Sequence, residues 1–367
     1  MDIYWILVAL VFLVGVPIQP HWSRPRAKIY LWIVFVMMIT VSGFRAFSIG
    51  ADTKVYVNVF HNIRNINLMK GRFEIGFLKY VEILHHLSEN AGILLIVSSA
   101  ICIGAACIFT YKFSKNPMIS MMLYILLGEY FSQMNVMRQA IALSLMEVSF
   151  MVLLKNNGGG GVQRAISALL ILLAATFHTV AIVGVIPWIL VVRSNSEKEE
   201  YNSFTARKML KNTIWIAGIA FVAYSVIMAV TIKLLPQYAG YFRGEWSDAN
   251  YNASLFNTLI QLSFAVVGAI VFREKKLNKN QRFAAIMLSL TIIFDVLSMR
   301  MEIWGRIAGM FGIYTYLLWV PEVTSEIHSA KNRVILNTAI VLFSAAYMLI
   351  VLVFRPEWTL VVPYKFR

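Results

Sequence analysis

The sequence predicts an all-α polytopic membrane protein with about 12 transmembrane helices. Of its 367 residues, 59% are hydrophobic and 14% are charged, whereas a soluble domain is roughly half apolar and a quarter charged. Apolar stretches that approach the roughly 20 residues of a membrane-spanning helix follow one another along the whole chain. No long polar stretch remains for a soluble domain, so residues 1–367 are predicted to form a single membrane domain.

Twelve apolar runs carry this prediction. They cover residues 3–19, 29–44, 91–111, 117–135, 136–154, 163–177, 179–192, 213–235, 255–272, 283–299, 307–320 and 334–354. The first run lacks a preceding basic region and a cleavage site, so it is predicted to be a retained span, not a signal peptide. Runs 163–177 and 179–192 are short for a hydrocarbon core of about 30 Å. Either they extend into their flanks, or their junction at His178 lies below the membrane surface.

Basic residues predict which loops face the cytoplasm. With 12 spans, alternate loops lie on opposite sides, and one set of loops holds 19 of the 33 lysines and arginines, mostly in short loops such as 273–282. Positive charge in short loops is typical of the cytoplasmic side. The sequence therefore predicts that both termini face outward. The net charge of +15 is interpreted as setting orientation and holding anionic lipid, not as binding nucleic acid.

Segment 45–90 lies outside the predicted spans, yet it is too apolar for a plain linker. Its apolar side chains recur at helical spacing and are Phe73, Phe77, Tyr80, Val81, Leu84 and Leu87. This pattern predicts an amphipathic helix along the outer surface of the membrane.

Charged and aromatic residues from distant parts of the chain converge on the predicted outer face. They are Arg45, Asp52, Arg72, Glu74, Arg138, His178, Tyr238, Tyr241, Arg243, Glu245, Trp246, Asp248, Arg300, Glu302 and Arg306. This convergence is the strongest indication of a functional site that the residues give by themselves. No cluster of His, Cys or carboxylates has metal-ligand spacing, so neither a metal site nor a cofactor is predicted.

Arg138 lies between two predicted spans with almost no loop around it. A charge beside hydrocarbon is costly, and such residues usually face a cavity or a partner. A guanidinium forks onto phosphate oxygens, which favours an anion site. The alternatives are a side chain that extends to the interface, or an ion pair with Glu129 or Glu147.

Three residues are candidates for a general base. His178 is suited to proton transfer near neutral pH, because an unperturbed histidine has a pKa of about 6.5. Asp52 and Glu74 could also accept a hydroxyl proton. The alternatives are a structural histidine at a helix junction and two solvated loop carboxylates. His178 ranks first, since a cavity is expected where two short helices meet.

The order of short motifs along the chain resembles the EpsG-type branch of the Wzy-like bacterial polysaccharide polymerases. The resemblance covers most of the chain. In order, its elements are Gly43-Phe44-Arg45, Asp52-Thr53 with Tyr56, Phe73-Glu74-Ile75-Gly76-Phe77, Asn135-Val136-Met137-Arg138-Gln139, Phe177-His178, Tyr238 to Phe242, Arg306 and Pro363-Tyr364. After the histidine the family often has a small or basic residue, and this chain has Thr179-Val180.

The resemblance implies a metal-independent glycosyltransferase of the bacterial inner membrane with a GT-C-like, all-helical architecture. Its substrate would be oligosaccharide repeat units on undecaprenyl pyrophosphate, as in O-antigen or exopolysaccharide synthesis. Its other partners would be membrane lipid and a chain-length regulator, with no nucleic acid.

Such a reaction needs cations for the leaving group and a base for the acceptor hydroxyl. The candidate base residues are His178, Asp52 and Glu74. The candidate pyrophosphate ligands are Arg45, Arg138, Arg300 and Arg306. The candidate sugar and acceptor contacts are Tyr56, Gln139, Tyr238, Tyr241, Arg243 and Trp246, although the aromatic residues also suit a membrane interface.

Two other classes of function stay open. A transporter of lipid-linked sugars would need charges through the depth of the bundle, and only Glu129, Glu147 and Asp295 are predicted to lie deep. A ligase or a sugar acyltransferase is the other alternative. A ligase should carry its largest outer loop late in the chain, whereas here the largest is early.

Overall fold

The structure is a computed structural model that describes residues 2–18, 22–64, 71–155, 160–196, 205–234 and 251–367. These residues are helical apart from short connections and two isolated β-bridges. The α-helices are α1 Asp2–Gly15, α2 Arg24–Gly43, α3 Thr53–His61, α4 Ile75–Leu87, α5 Gly92–Phe113, α6 Pro117–Leu126, α7 Glu129–Asn135, α8 Met137–Lys155, α9 Gly161–Phe177, α10 Val185–Ser196, α11 Ala206–Val222, α12 Tyr224–Leu234, α13 Tyr251–Phe272, α14 Lys279–Ser298, α15 Ile303–Tyr314, α16 Val320–Ser325 and α17 Ala330–Leu349. Short 3-10 and π segments flank several of them.

The prediction of a polytopic α-helical membrane protein is confirmed. Among the described residues, six helices are long and apolar enough to cross a membrane: α2, α5, α8, α13, α14 and the run Ala330–Phe354 that contains α17. A seventh span results if α11 and α12, which meet at 73°, form one bent span. Shorter apolar helices account for most of the remaining predicted runs, so the count of about 12 spans stays a prediction.

The two short runs that flank His178 extend into their neighbours. Helix α9 begins at Gly161 and ends at Phe177, and a 3-10 segment, Thr179–Gly184, leads directly into α10. Both runs are still among the shorter apolar helices, so the two alternatives that the sequence leaves open, extension into the flanks and a junction below the membrane surface, stay predictions. His178 itself has an extended backbone conformation and caps the C-terminus of α9.

The chain divides into two compact units. Unit 1 consists of Met1–Trp188 and His328–Arg367, and unit 2 consists of Ile189–Ile327. Unit 2 is therefore inserted in the sequence of unit 1, with one boundary inside α10.

In unit 1 the longest helices pack in a chain of pairs: α2 on α5, α5 on α8, and α8 on α9. Helices α3 and α4 pack on this bundle through a hydrophobic core. This core includes Phe60, Phe77, Val81, Leu95 and Ile141. Helix α4 is the helix predicted within segment 45–90. Its residues Phe77, Leu78, Val81 and Leu84 are buried, so its apolar face packs on protein. This packing fixes the segments that carry Asp52 and Glu74.

The C-terminal segment 355–367 closes unit 1 over the loop 44–50. The backbone amides of Ala46 and Gly50 donate to the carbonyls of Lys365 and Leu360, at 2.9 Å each. The Arg367 amide donates to the Phe44 carbonyl at 2.8 Å. The Tyr364 hydroxyl donates to the carbonyl of Val41, at the end of α2, at 2.7 Å. The loop that leads to Asp52 is therefore held by residues more than 300 positions later.

Unit 2 is organised around α14, which packs on α11, α13 and α15. A capping box formed by Asn278 and Gln281 begins α14. The buried Trp319 donates its indole N–H to the Phe264 carbonyl of α13 at 3.0 Å. These contacts define unit 2 as a second helical bundle.

Candidate active site

Four separate segments of unit 1 bring charged side chains together at one point. Asp52 precedes α3, Glu74 precedes α4, Arg138 lies in the first turn of α8, and His178 follows α9. The contacts described below join Glu74 directly to Arg138 and His178, and Tyr56 joins Asp52 to Arg138. The predicted convergence of these residues, which lie up to 126 positions apart, is therefore present in the structure.

Glu74 is at the centre of this cluster. Its Oε2 atom accepts a short, charge-assisted hydrogen bond from the Nη1 atom of Arg138. Its Oε1 atom lies 3.3 Å from Nδ1 of His178 and accepts a hydrogen bond from the backbone amide of Thr179 at 3.2 Å. Both carboxylate oxygens are thus engaged by donors or by the imidazole.

The pKa of Glu74 follows from these contacts. Burial would by itself raise the pKa of this carboxyl, but the contact with His178 and the positive charge of Arg138 outweigh burial and lower it to about 2. The side chain is 19% exposed, so the carboxylate stays ionised at neutral pH although little water reaches it. Glu74 is therefore suited to orient its partners and poorly suited to accept a proton.

The two ring nitrogens of His178 have different surroundings. Its side chain is 13% exposed and its Nδ1 atom faces Glu74. Its Nε2 atom is buried and has no hydrogen-bond partner within the described part of the chain. A carboxylate beside one nitrogen fixes the ring and favours the tautomer in which the other nitrogen can accept a proton.

Tyr56 connects Asp52 to Arg138. The Tyr56 hydroxyl donates to Oδ2 of Asp52 at 3.3 Å and also contacts the Arg138 guanidinium. Burial, followed by the charge of Asp52, raises the pKa of Tyr56 to about 12. Tyr56 therefore remains a neutral hydrogen-bond donor at physiological pH, next to two charged groups.

Phe73 supports the face of the Arg138 guanidinium. The Arg138 Cζ atom lies 5.0 Å from the Phe73 ring centroid, within the range of a cation–π contact. This contact was not predicted, because the motif placed Phe73 next to Glu74 in sequence without indicating which side chain it faces. The stack fixes the plane of the guanidinium fork.

Gly76 allows α4 to approach the end of α9. A Cβ atom at position 76 would lie 2.2 Å from Oγ1 and 2.7 Å from the carbonyl oxygen of Thr176, so a larger residue would push the helices apart. This approach places Glu74 beside His178. In the sequence Gly76 is only one glycine of a short motif, and its packing partner is 100 residues away.

Arg45 is buried and connects two of the segments that carry the cluster residues. It is 1% exposed, and its guanidinium donates to the carbonyl oxygens of Ser42 and Met134. Burial lowers the pKa of Arg45 to about 10, which leaves it charged at neutral pH. The carbonyl of Met134 also accepts from the Thr53 hydroxyl at 3.2 Å. These bonds tie the loop before Asp52 to the turn before Arg138.

The remaining predicted site residues lie elsewhere. Gln139 follows Arg138 in α8 and is half-buried. Arg300 and Arg306 belong to unit 2, where the Arg300 guanidinium lies 4.3 Å from the ring centroid of Phe221. Tyr238, Tyr241, Arg243 and Trp246 fall outside the described residues. Nothing in the described ranges forms a group of three or more His, Cys, Asp or Glu able to hold a metal ion.

The fold and the site together define a polytopic α-helical membrane protein that gathers acid–base residues and an arginine at its helix ends. Comparison with protein families narrows this class. The model of the EpsG family matches residues 28–366, nearly the whole chain, and the chain belongs to that family. No curated protein and no solved structure matches the chain. Membership indicates a membrane protein of the polysaccharide-polymerase type, and all four charged cluster residues lie inside the matched range.

Proposed function

We propose that this protein is a polymerase that joins oligosaccharide repeat units carried on undecaprenyl pyrophosphate. In this proposal it acts at the outer face of the bacterial cytoplasmic membrane. The observation that carries the proposal is the cluster of Asp52, Glu74, Arg138 and His178 within a chain of the EpsG family. Its groups match the two needs of glycosyl transfer, which are a base for the acceptor and a cation for the leaving group.

The proposed reaction is a single displacement. A hydroxyl of the acceptor unit attacks the anomeric carbon of the donor unit and gives its proton to Nε2 of His178. The bond between that carbon and the pyrophosphate oxygen breaks, and the electron pair leaves with undecaprenyl pyrophosphate. Arg138 stabilises the negative charge that develops on the leaving group.

Within this mechanism Glu74 is a positioning residue. Its oxygens contact Arg138, His178 and the Thr179 amide. It therefore fixes the position of the base, His178, relative to the cation, Arg138. Asp52 is the second candidate base, because it is the other carboxylate of the cluster. Its Oδ2 atom accepts a hydrogen bond from Tyr56. Arg300 and Arg306 are kept as proposed pyrophosphate ligands. Tyr56 and Gln139 are proposed to contact the acceptor.

The function is tested in a strain that lacks the gene. Loss of polymerase should leave single repeat units on the lipid carrier and abolish long surface glycan, and the wild-type gene should restore it. Repeat units that stay on the cytoplasmic face would indicate a transporter. Long glycan that stays on the lipid carrier would indicate a ligase.

The base is tested with purified protein in lipid vesicles supplied with lipid-linked repeat units. His178→Ala should abolish chain extension, whereas His86→Ala, which removes an exposed histidine of α4, should leave it unchanged. Asp52→Asn and Glu74→Gln complete the series. If the His178 variant keeps most of its turnover and the Asp52 variant has none, the base is Asp52.

A further inference from the structure

Unit 2 contains an apolar crevice between α11 and α14, bordered by Leu190 of α10. One face of α11 lines it with Met209, Thr213 and Ile216, and one face of α14 lines it from Arg282 to Ile293. A hydrogen bond of 2.7 Å between Thr213 and Ser289 crosses between the two helices. The crevice therefore runs along about three turns of α14, roughly 17 Å.

The shape and lining of the crevice fit a hydrocarbon chain. Its volume is about 210 Å³, below the roughly 300–1,000 Å³ of sites for drug-sized ligands. Ile216, Ile286, Leu290 and Ile293 form its walls. Ile216 is 51% exposed, so the crevice opens at the side of the helix pair, where lipid surrounds a membrane protein.

Arg282 marks one end of the crevice with a positive charge. Its Nε atom is buried and lacks a hydrogen-bond partner, and no carboxylate pairs with its guanidinium in the described ranges. The carboxylates at this end of unit 2 have other partners, and the buried Glu322 accepts a hydrogen bond from Gln281 at 3.1 Å. Glu274 pairs with Arg207 at 3.1 Å, and Glu326 pairs with Lys275.

Both helices begin at this end. A backbone bridge joins Thr205 to Lys276, so the N-termini of α11 and α14 lie together, and their positive dipole ends add to the charge of Arg282. Lys208 and Lys211 lie in the first two turns of α11. The sequence predicts that the loop 273–282 faces the cytoplasm, where anionic lipids attract basic residues.

We propose that this crevice binds an anionic phospholipid. One acyl chain lies along the crevice against Ile216, Ile286 and Leu290, and the phosphate accepts hydrogen bonds from the Arg282 guanidinium. Charge complementarity selects the phosphate, and the narrow apolar channel selects the chain. The proposal is independent of the reaction proposed for unit 1.

The test is native mass spectrometry of the purified full chain in detergent, titrated with dioleoylphosphatidylglycerol. We expect one tightly bound lipid, and at least about tenfold weaker binding of dioleoylphosphatidylcholine, which has the same chains. Dihexanoylphosphatidylglycerol, which has the same headgroup, should also bind at least about tenfold more weakly, because its chains are too short to fill the crevice. Arg282→Gln should lower the affinity about tenfold.

Lys276→Gln is the matched control, because it removes an exposed charge from the same loop outside the crevice. It should bind the lipid as the wild type does, and Arg282→Lys should retain part of the affinity. Equal melting temperatures in detergent show that the variants are folded. Equal binding of the two dioleoyl lipids, or wild-type affinity in Arg282→Gln, would overturn the proposal. Preferential binding of undecaprenyl phosphate would overturn the choice of a phospholipid.

Discussion

Glu74 contacts three groups that come from two distant parts of the chain. Since Arg138, His178 and the Thr179 amide all face one carboxylate, removing its charge affects each of them. The depressed pKa of Glu74, about 2, links this arrangement to pH. A carboxyl with a folded-state pKa below its ordinary value of about 4.5 stabilises the fold above that value. This contribution is lost as the pH falls through about 2.

The free energy of unfolding should therefore fall between about pH 4.5 and pH 2 in part because of Glu74. The change that tests this is Glu74→Gln, which should be less stable than the wild type at pH 7 and should show a smaller loss in that window. Chemical denaturation in detergent at several pH values measures it. Glu89→Gln, an exposed carboxylate outside the cluster, should keep the wild-type profile. Identical pH profiles for Glu74→Gln and the wild type would contradict the assigned role.

Arg138 tests whether geometry or charge matters in the cluster. Arg138→Lys keeps the charge but loses the planar fork that reaches Glu74 and Tyr56 and stacks on Phe73. Turnover should fall about 100-fold, the usual effect of losing one donor to a developing anion, at normal protein abundance. The measurement is chain extension in vesicles alongside immunoblotting. Near-normal amounts of long-chain glycan in this variant would show that Arg138 is only a charge at the membrane interface, without a role in the reaction.

The sequence predicts which residues meet in the cluster, but it does not predict which of their side chains contact each other. The side chains of Asp52, Glu74, Arg138 and His178 were expected on one face because the alternation of loops places them there. The sequence offers Glu129 and Glu147, which are close to Arg138 along the chain, as its ion-pair partners, but in the structure its partner is Glu74. A contact across 64 positions depends on how helices pack, and no local pattern in the sequence encodes it.

At the scale of elements, the approach of α4 to α9 at Gly76 positions the site. Gly76→Ala adds a methyl group where the backbone of Thr176 already lies, so α4 must move and Glu74 must leave His178. We expect a loss of stability of about 1–3 kcal/mol together with a strong loss of turnover. Thermal unfolding and the vesicle assay measure the two effects.

Gly161→Ala is the control for this substitution. It lies at the start of α9, and a Cβ atom there meets nothing within 4 Å. Alanine also forms helices better than glycine, so this variant should be as stable as the wild type or more so. Full activity in Gly76→Ala would mean that the close approach of α4 and α9 does not position the site.

Sequence patterns predicted the elements themselves with uneven success. The amphipathic helix within segment 45–90 is present as α4, with Phe77, Val81 and Leu84 buried as its spacing indicates. Leu87, expected on the same face, is 71% exposed, because it lies in the last turn, where the packing ends. Run 117–135 was predicted as one span, but it breaks into α6 and α7 at Gly128, which has a φ of +92°.

At the scale of the whole molecule, the proposals share one assumption, which is the orientation of the chain across the membrane. The cluster belongs to the outer face only if the basic loops face the cytoplasm. Cysteine labelling in intact cells tests this, because the two native cysteines are 5% and 7% exposed and should not react. A cysteine at the exposed position Arg72, next to the cluster, should react with a membrane-impermeant reagent, and one at the exposed position Lys115 should not. Labelling at position 115 and not at position 72 would show that the chain has the opposite orientation in the membrane.

The insertion of unit 2 within unit 1 has a consequence for the order of synthesis. The loop 44–50 leaves the ribosome early, but its hydrogen-bond partners at 360–367 follow about 310 residues later. At roughly 5–20 residues per second this delay lasts roughly 15–60 seconds. During that time the helices of unit 2 are made while the loop before Asp52 still lacks its closing partners. The loop before Asp52 thus reaches its final form only after segment 360–367 has been translated, so a product interrupted before that segment would insert into the membrane with this loop unclosed.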